Sequence, residues 1–133
     1  MVRTPSSQHA ARRRADHRGR AAEIIALVYL MLTFHRILAR RWRGSAGEID
    51  LIARRGGRII FCEVKFRYAA DAAAVPTAQQ RRRIARAAQQ FCQQRRISPT
   101  FEQRFDLIQI SPSFGGMLYN IRHIRDAWWA TPD

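Results

Sequence analysis

The chain has 133 residues, enough for one domain with a modest hydrophobic core. Lys and Arg number 24 against 10 Asp and Glu, a net charge of +14 that suits a polyanion, nucleic acid before membrane. Two cysteines, Cys62 and Cys92, are too few for a disulfide framework or a zinc site, and a reducing, cytoplasmic setting fits them.

Residues 1–20 are polar and Arg-rich and read as a disordered basic arm preceding a folded domain over 21–133. Ala21 to Thr33 reads as a first helix, apolar nearly all round and therefore expected to be buried. With Glu23 inside it, and too short to cross a bilayer, it is no membrane span. Glu23 sits in the first turn, where an acid favours the helix dipole. His35 to Arg43 reads as a first strand, with Arg36, Arg40, Arg41 and Arg43 toward solvent or phosphate.

The centre of the chain is residues 47–67. Two apolar runs, Ile49 to Ala53 and Ile59 to Val64, flank Gly56-Gly57, a favoured hairpin loop. With Arg55 facing Arg58, Asp50 falls opposite Glu63 and Glu48 opposite Lys65. Side chains alternate along a strand, so these four share a face with Ile52 and Phe61, while Ile49, Leu51, Cys62 and Val64 take the other. Both faces are apolar enough for a sheet covered on both sides. Directly opposed Cβ atoms lie ~4.5–5.5 Å apart, and like charges there repel. A divalent cation between Asp50 and Glu63 turns that penalty into a binding site, and Mg²⁺ suits one or two carboxylates. The plain alternative is a surface hairpin with a Glu48–Lys65 salt bridge. Lys65 is the chain's only lysine; every other basic position is Arg. A lone Lys two residues after an acid suggests a chemical requirement, because a Lys pKa moves with its surroundings and an Arg stays charged.

Tyr68 to Pro76 reads as a loop. Thr77-Ala78-Gln79-Gln80 is a capping box opening a helix that runs to about Arg96, with Ile84, Ala87, Ala88, Phe91 and Cys92 as its apolar stripe. Arg82 and Arg86 lie on its basic, amide-rich face and could track a phosphate backbone. Arg104 to Ile110 reads as a strand in which Asp106 pairs with an arginine. Ser111 to Gly116 reads as a turn, Met117 to Arg122 as a short strand and Ile124 to Ala130 as a short closing helix.

Asp50 followed by Glu63-Val64-Lys65 resembles the D…(D/E)-x-K signature of the restriction-endonuclease-like nucleases. The strings Gly47-Glu48-Ile49-Asp50-Leu51-Ile52-Ala53 and Phe61-Cys62-Glu63-Val64-Lys65-Phe66-Arg67 are similar to the YraN-like family of small bacterial proteins. Arg104-Phe105-Asp106 and His123-Ile124-Arg125-Asp126-Ala127-Trp128 extend the likeness. Ile49 stands where the superfamily pattern has Pro, and Gln79 where many relatives have Lys.

The resemblance implies an α/β fold, a three-layer restriction-endonuclease-like core with a mixed sheet between helices in the order α-β-β-β-α-β-β-α. It implies a metal-dependent endonuclease acting on DNA rather than RNA, branched DNA included. Asp50, Glu63 and Lys65 would be catalytic. Mg²⁺ or Mn²⁺ would sit on Asp50, Glu63 and the backbone carbonyl of Val64. Glu23 matches the first-helix glutamate of Holliday-junction resolvases and is a further candidate ligand. Glu48 would orient Lys65, and Arg43, Arg67, Arg82 and Arg86 would contact nucleic acid. Two other readings remain open: a non-catalytic nucleic-acid-binding module on the same fold, and a basic structural protein.

Overall fold

The computed structural model describes residues 5–68 and 76–128. Its elements are α1 (Pro5–Leu32), β1 (Arg36–Arg43), β2 (Glu48–Arg55), β3 (Arg58–Phe66), α2 (Ala78–Gln94), β4 (Glu102–Ser113), a 3₁₀ turn (Phe114–Gly116) and β5 (Leu118–Trp128). The strands lie in the sheet in chain order. All neighbours run antiparallel except β3 and β4, which are parallel. A parallel pair needs a crossover, and α2 supplies it. The chain is thus an α/β protein whose five-stranded mixed sheet lies between two helices, in agreement with a restriction-endonuclease-like layout.

Each sheet face has its own core. On one side Ala22, Ala26 and Leu30 of α1, spaced i, i+4, i+8, pack on Leu51, Ala53, Ile60, Cys62, Ile108 and Ile110. On the other, Ile84, Ala87, Ala88 and Phe91 of α2 pack on Ile49, Ile52, Ile59, Phe61, Phe105, Leu107 and Trp128. Both halves of the capping box form at the start of α2: Gln80 N–H donates to Thr77 Oγ1 at 3.2 Å and Thr77 N–H to Gln80 Oε1 at 3.0 Å.

Three expectations change. α1 begins at Pro5, so the stretch expected as an unstructured arm is helical from there on. Pro suits a first helical position, and the Ala and Arg residues that follow are strong helix formers. α1 is also not buried all round. Only one face meets the sheet, and Ile24, Val28, Met31 and Leu32 are exposed.

The closing helix is absent through Trp128, because β5 continues to that residue. Its register jumps between Phe105↔Trp128 and Leu107↔Ile124, and Asp126 takes a φ of 55° at this bulge. The bulge brings Ile124, Ala127 and Trp128 together on the α2 face. Their i, i+3, i+4 spacing imitates a helix but comes from a kinked strand. Residues 129–133, including Trp129, and most of the 68–76 loop lie outside the described residues.

Candidate active site

The hairpin adopts the expected register, from Arg55↔Arg58 to Leu51↔Cys62, with Gly56 at a φ of 59°. The β2–β3 ladder stops at Leu51↔Cys62, one position before Asp50 would meet Glu63. There the Asp50 carboxylate replaces a backbone acceptor: Val64 N–H donates to Asp50 Oδ2 at 2.8 Å. Past the end of the ladder β2 is held by β1 alone, and Ile49 packs with Ile52 and Phe61 on the α2 side, not on the face of Leu51 and Cys62 expected for it.

Asp50 and Glu63 are partly buried neighbours. Burial, and then the Glu63 charge, push the Asp50 carboxyl up to about 7 against the pull of the Val64 N–H. Glu23 adds a smaller upward push from α1. The Asp50 carboxyl is raised because it is partly enclosed beside a second carboxylate. Lys65 Nζ lies 3.1 Å from Glu63 Oε1, so Lys65 pairs with Glu63. The expected Glu48–Lys65 partnership does not form. Glu48 faces Arg43, its register partner on β1, with Arg43 Nη2 at 3.4 Å from Glu48 Oε2.

Among the described residues no three His, Cys, Asp or Glu side chains form a ready-made cluster for a metal ion. Asp50 and Glu63 are a pair, and Glu23 is engaged by Arg41, whose Nε donates to Glu23 Oε2 at 2.6 Å. The donors at hand, two carboxylates beside the Val64 backbone, are oxygens of the kind a hard divalent cation takes. The raised Asp50 carboxyl adds that a positive charge is wanted there.

The remaining expected residues are scattered around this end. Arg43 and Arg67 are exposed near the ends of β1 and β3, and Arg67 N–H anchors to the Ile110 carbonyl at 2.9 Å. Arg82 and Arg86 are exposed on α2. Arg86 joins Gln89, Gln90, Gln93, Ser45 and Ala46 around an open polar cavity of about 560 Å³. The loop from Gly44 to Gly47 lies against α2, and Ser45 N–H donates to Gln90 Oε1 at 2.9 Å.

A second polar centre on the α1 side of the sheet was only partly foreseen. Asp106, fully buried, accepts a forked pair of bonds from Arg104, both 2.8 Å, as the sequence suggested. It also accepts His123 Nε2–H at 2.7 Å and the Asp126 backbone N–H at 3.0 Å. His123 Nδ1 in turn lies 2.8 Å from the Tyr29 hydroxyl, tying β4, β5 and α1 together. Burial alone would raise the Asp106 carboxyl. The bonds from His123, Arg104 and Asp126 outweigh it and hold the carboxyl at about 2. Arg104 and Asp106 are two apart on one strand, so their pairing could be read locally. The partners from α1 and β5 had no local signal.

Fold and acid-bearing hairpin together define an α/β protein with a restriction-endonuclease-like layout. Residues 22–110 match the uncharacterised protein family UPF0102, and the chain belongs to that family, the YraN-like family to which its motifs pointed. Similar chains include a UPF0102 protein of Methylorubrum extorquens, 44% identical over 110 residues that cover 81% of this chain and 86% of that one. One of Azorhizobium caulinodans is 44% identical over 119 residues, covering 86% and 91%. One of Paramagnetospirillum magneticum is 42% identical over 130 residues, covering 93% and 94%. Among the described residues no helix is long and apolar enough to cross a membrane.

Proposed function

We propose that this protein is a metal-dependent nuclease that hydrolyses phosphodiester bonds in DNA, branched DNA among its substrates, in a reducing cytoplasmic setting. The observation that carries the reading is the Asp50–Glu63 pair. In a protein of net charge +14, two carboxylates are kept together, partly buried, at the cost of raising one of them to about 7. Such an arrangement is unfavourable to the fold and useful to a cation.

Asp50, Glu63 and the Val64 carbonyl would hold Mg²⁺ or Mn²⁺. A bound divalent cation supplies Lewis-acid stabilisation of charge developing on a phosphoryl group. The protein's own residues do the remainder. Val64 N–H fixes the Asp50 carboxylate through Oδ2. Lys65, 3.1 Å from Glu63, brings an ammonium that can orient the attacking water, take part in its proton transfer and meet the charge on the phosphate. Arg43, Arg67, Arg82 and Arg86 would hold the flanking backbone by charge.

A second reading is a nucleic-acid-binding module without catalysis. Among the described residues no third acid is gathered with Asp50 and Glu63, which favours it. One experiment separates the two. Labelled linear and branched DNAs are incubated with the protein in Mg²⁺, Mn²⁺ or EDTA, alongside Lys65→Arg. Formal charge is unchanged in that variant, so binding should hold. Cutting should fall by roughly 10²–10⁴, the contribution of a positioned acid–base group. Normal cutting by Lys65→Arg removes Lys65 from the mechanism. Binding without cutting by the unmodified protein under every condition selects the second reading.

A further inference from the structure

Arg41 is not placed as spare surface charge. It lies on β1 between the register pairs Arg40↔Leu51 and Trp42↔Ile49, hence opposite Asp50. Its φ is 46°, in the left-handed region that strains a side-chain-bearing residue and that Asn or Gly tolerate better. Its Nε is held by Glu23 Oε2 at 2.6 Å, while the Arg41 side chain stays 45% exposed and Glu23 only 19%. The Glu23 bond, the Glu23 charge and, more weakly, Glu48 and Asp50 all favour its positive form. An exposed ion pair contributes little to stability, less than such backbone strain costs. Such strain beside an acid pair is a feature of functional positions, and here it coincides with an ion pair to Glu23.

Resting on the nuclease reading above, we propose that Arg41 binds a phosphate group of the nucleic-acid strand beside the Asp50–Glu63 pair, and that Glu23 is its positioning residue rather than a cation ligand. The guanidinium is suited to this. With Nε on a carboxylate, its terminal N–H groups can still fork onto phosphate oxygens, which an ammonium cannot do in two directions at fixed geometry. Anchoring by the partly buried Glu23 also limits the side-chain freedom that would otherwise be lost on binding. The sheet thus places a cation site and an anion site on facing strands, as the two charges of a bridging phosphate and its counterion need.

The test measures affinity for a labelled DNA duplex in EDTA across a salt series. It compares the unmodified protein with Arg41→Asn, Arg41→Lys and a control, Arg54→Gln, at the far end of the hairpin. Arg41→Asn suits the left-handed backbone, so its melting temperature should hold or rise. Its slope of log affinity against log salt should shrink by ~0.9, one phosphate contact. Arg41→Lys should keep the slope but bind less tightly, and Arg54→Gln should change neither. In parallel, Mn²⁺ should raise the melting temperatures of the unmodified protein and of Glu23→Ala alike, and not that of Asp50→Ala. An unchanged slope in Arg41→Asn overturns the phosphate contact. Loss of the Mn²⁺ shift in Glu23→Ala overturns the positioning role. If the slope responds to Arg41 but the unmodified protein never cuts DNA, the nuclease reading fails and the Arg41 assignment stands.

Discussion

Replacing Asp50 with Asn should stabilise the protein increasingly above about pH 4, and most at neutral to alkaline pH. Asn keeps an oxygen for the Val64 N–H and gives Glu63 a donor, so it imitates protonated Asp50 at every pH. The Asp50 carboxyl is raised from 3.8 to about 7. A raised acid contributes stability that is complete below pH 3.8 and is lost as pH climbs toward 7, because the unfolded chain releases the proton first. At ~1.36 kcal/mol per pH unit, the span from 3.8 to about 7 sets a ceiling near ~4 kcal/mol. Asp50 is only partly buried, and solvent screening reduces this to about 2 kcal/mol. An unfolding entropy of ~2.1 cal/mol/K per residue then gives Asp50→Asn a gain of roughly 7 °C at pH 8. The assay is thermal unfolding in EDTA from pH 4 to pH 8, comparing variant and parent. The gap should open with rising pH and close near pH 4. A gap that ignores pH, or a variant less stable at pH 8, would refute the account of the acid pair as a strained, charge-deficient place.

Two further substitutions probe the supports of the site. Asp106→Asn removes a buried carboxylate held at about 2, whose stabilisation is present above pH 3.8 and lost as pH falls toward 2. It leaves Arg104 without its charge partner, so acid and thermal unfolding should show a loss of ~3–5 kcal/mol at pH 7 that shrinks in acid. Gly44→Ala would bring a Cβ to 2.3 Å from Gln90 Oε1 and 2.8 Å from the Trp42 ring, displacing the amide that holds Ser45. Calorimetry should find a cost of ~1–3 kcal/mol, as for other overpacked positions.

What could be read in the sequence was local. Gly56-Gly57 between two apolar runs set the hairpin register as far as Leu51↔Cys62, which brings Asp50 near Glu63 just past its end. The stripe Ile84, Ala87, Ala88, Phe91 and the Thr77–Gln80 box likewise carried their own geometry. The failures were places where distant partners or kinks decide. The bulge at Asp126 gave a strand a helical spacing, so β5 passed for strand plus helix. Glu48 was assigned to Lys65 across β2–β3, but β1 supplied Arg43 as the nearer opposite charge. Arg41 looked like any of its arginine neighbours, since neither its left-handed φ nor its reach to Glu23 has a signal in composition.

The bond between the Val64 amide and the Asp50 side chain has a consequence for how the site communicates. A sheet amide normally answers only to another backbone carbonyl and is silent about nearby chemistry. Here one rung of the hairpin is made by a group that can gain a proton or be drawn toward a cation. Val64 sits on β3 directly beside Ile108 of β4, deep in the parallel ladder. The Val64 amide is therefore a built-in indicator. Its resonance and exchange rate should follow the charge on Asp50, making that charge visible from the backbone without any added label.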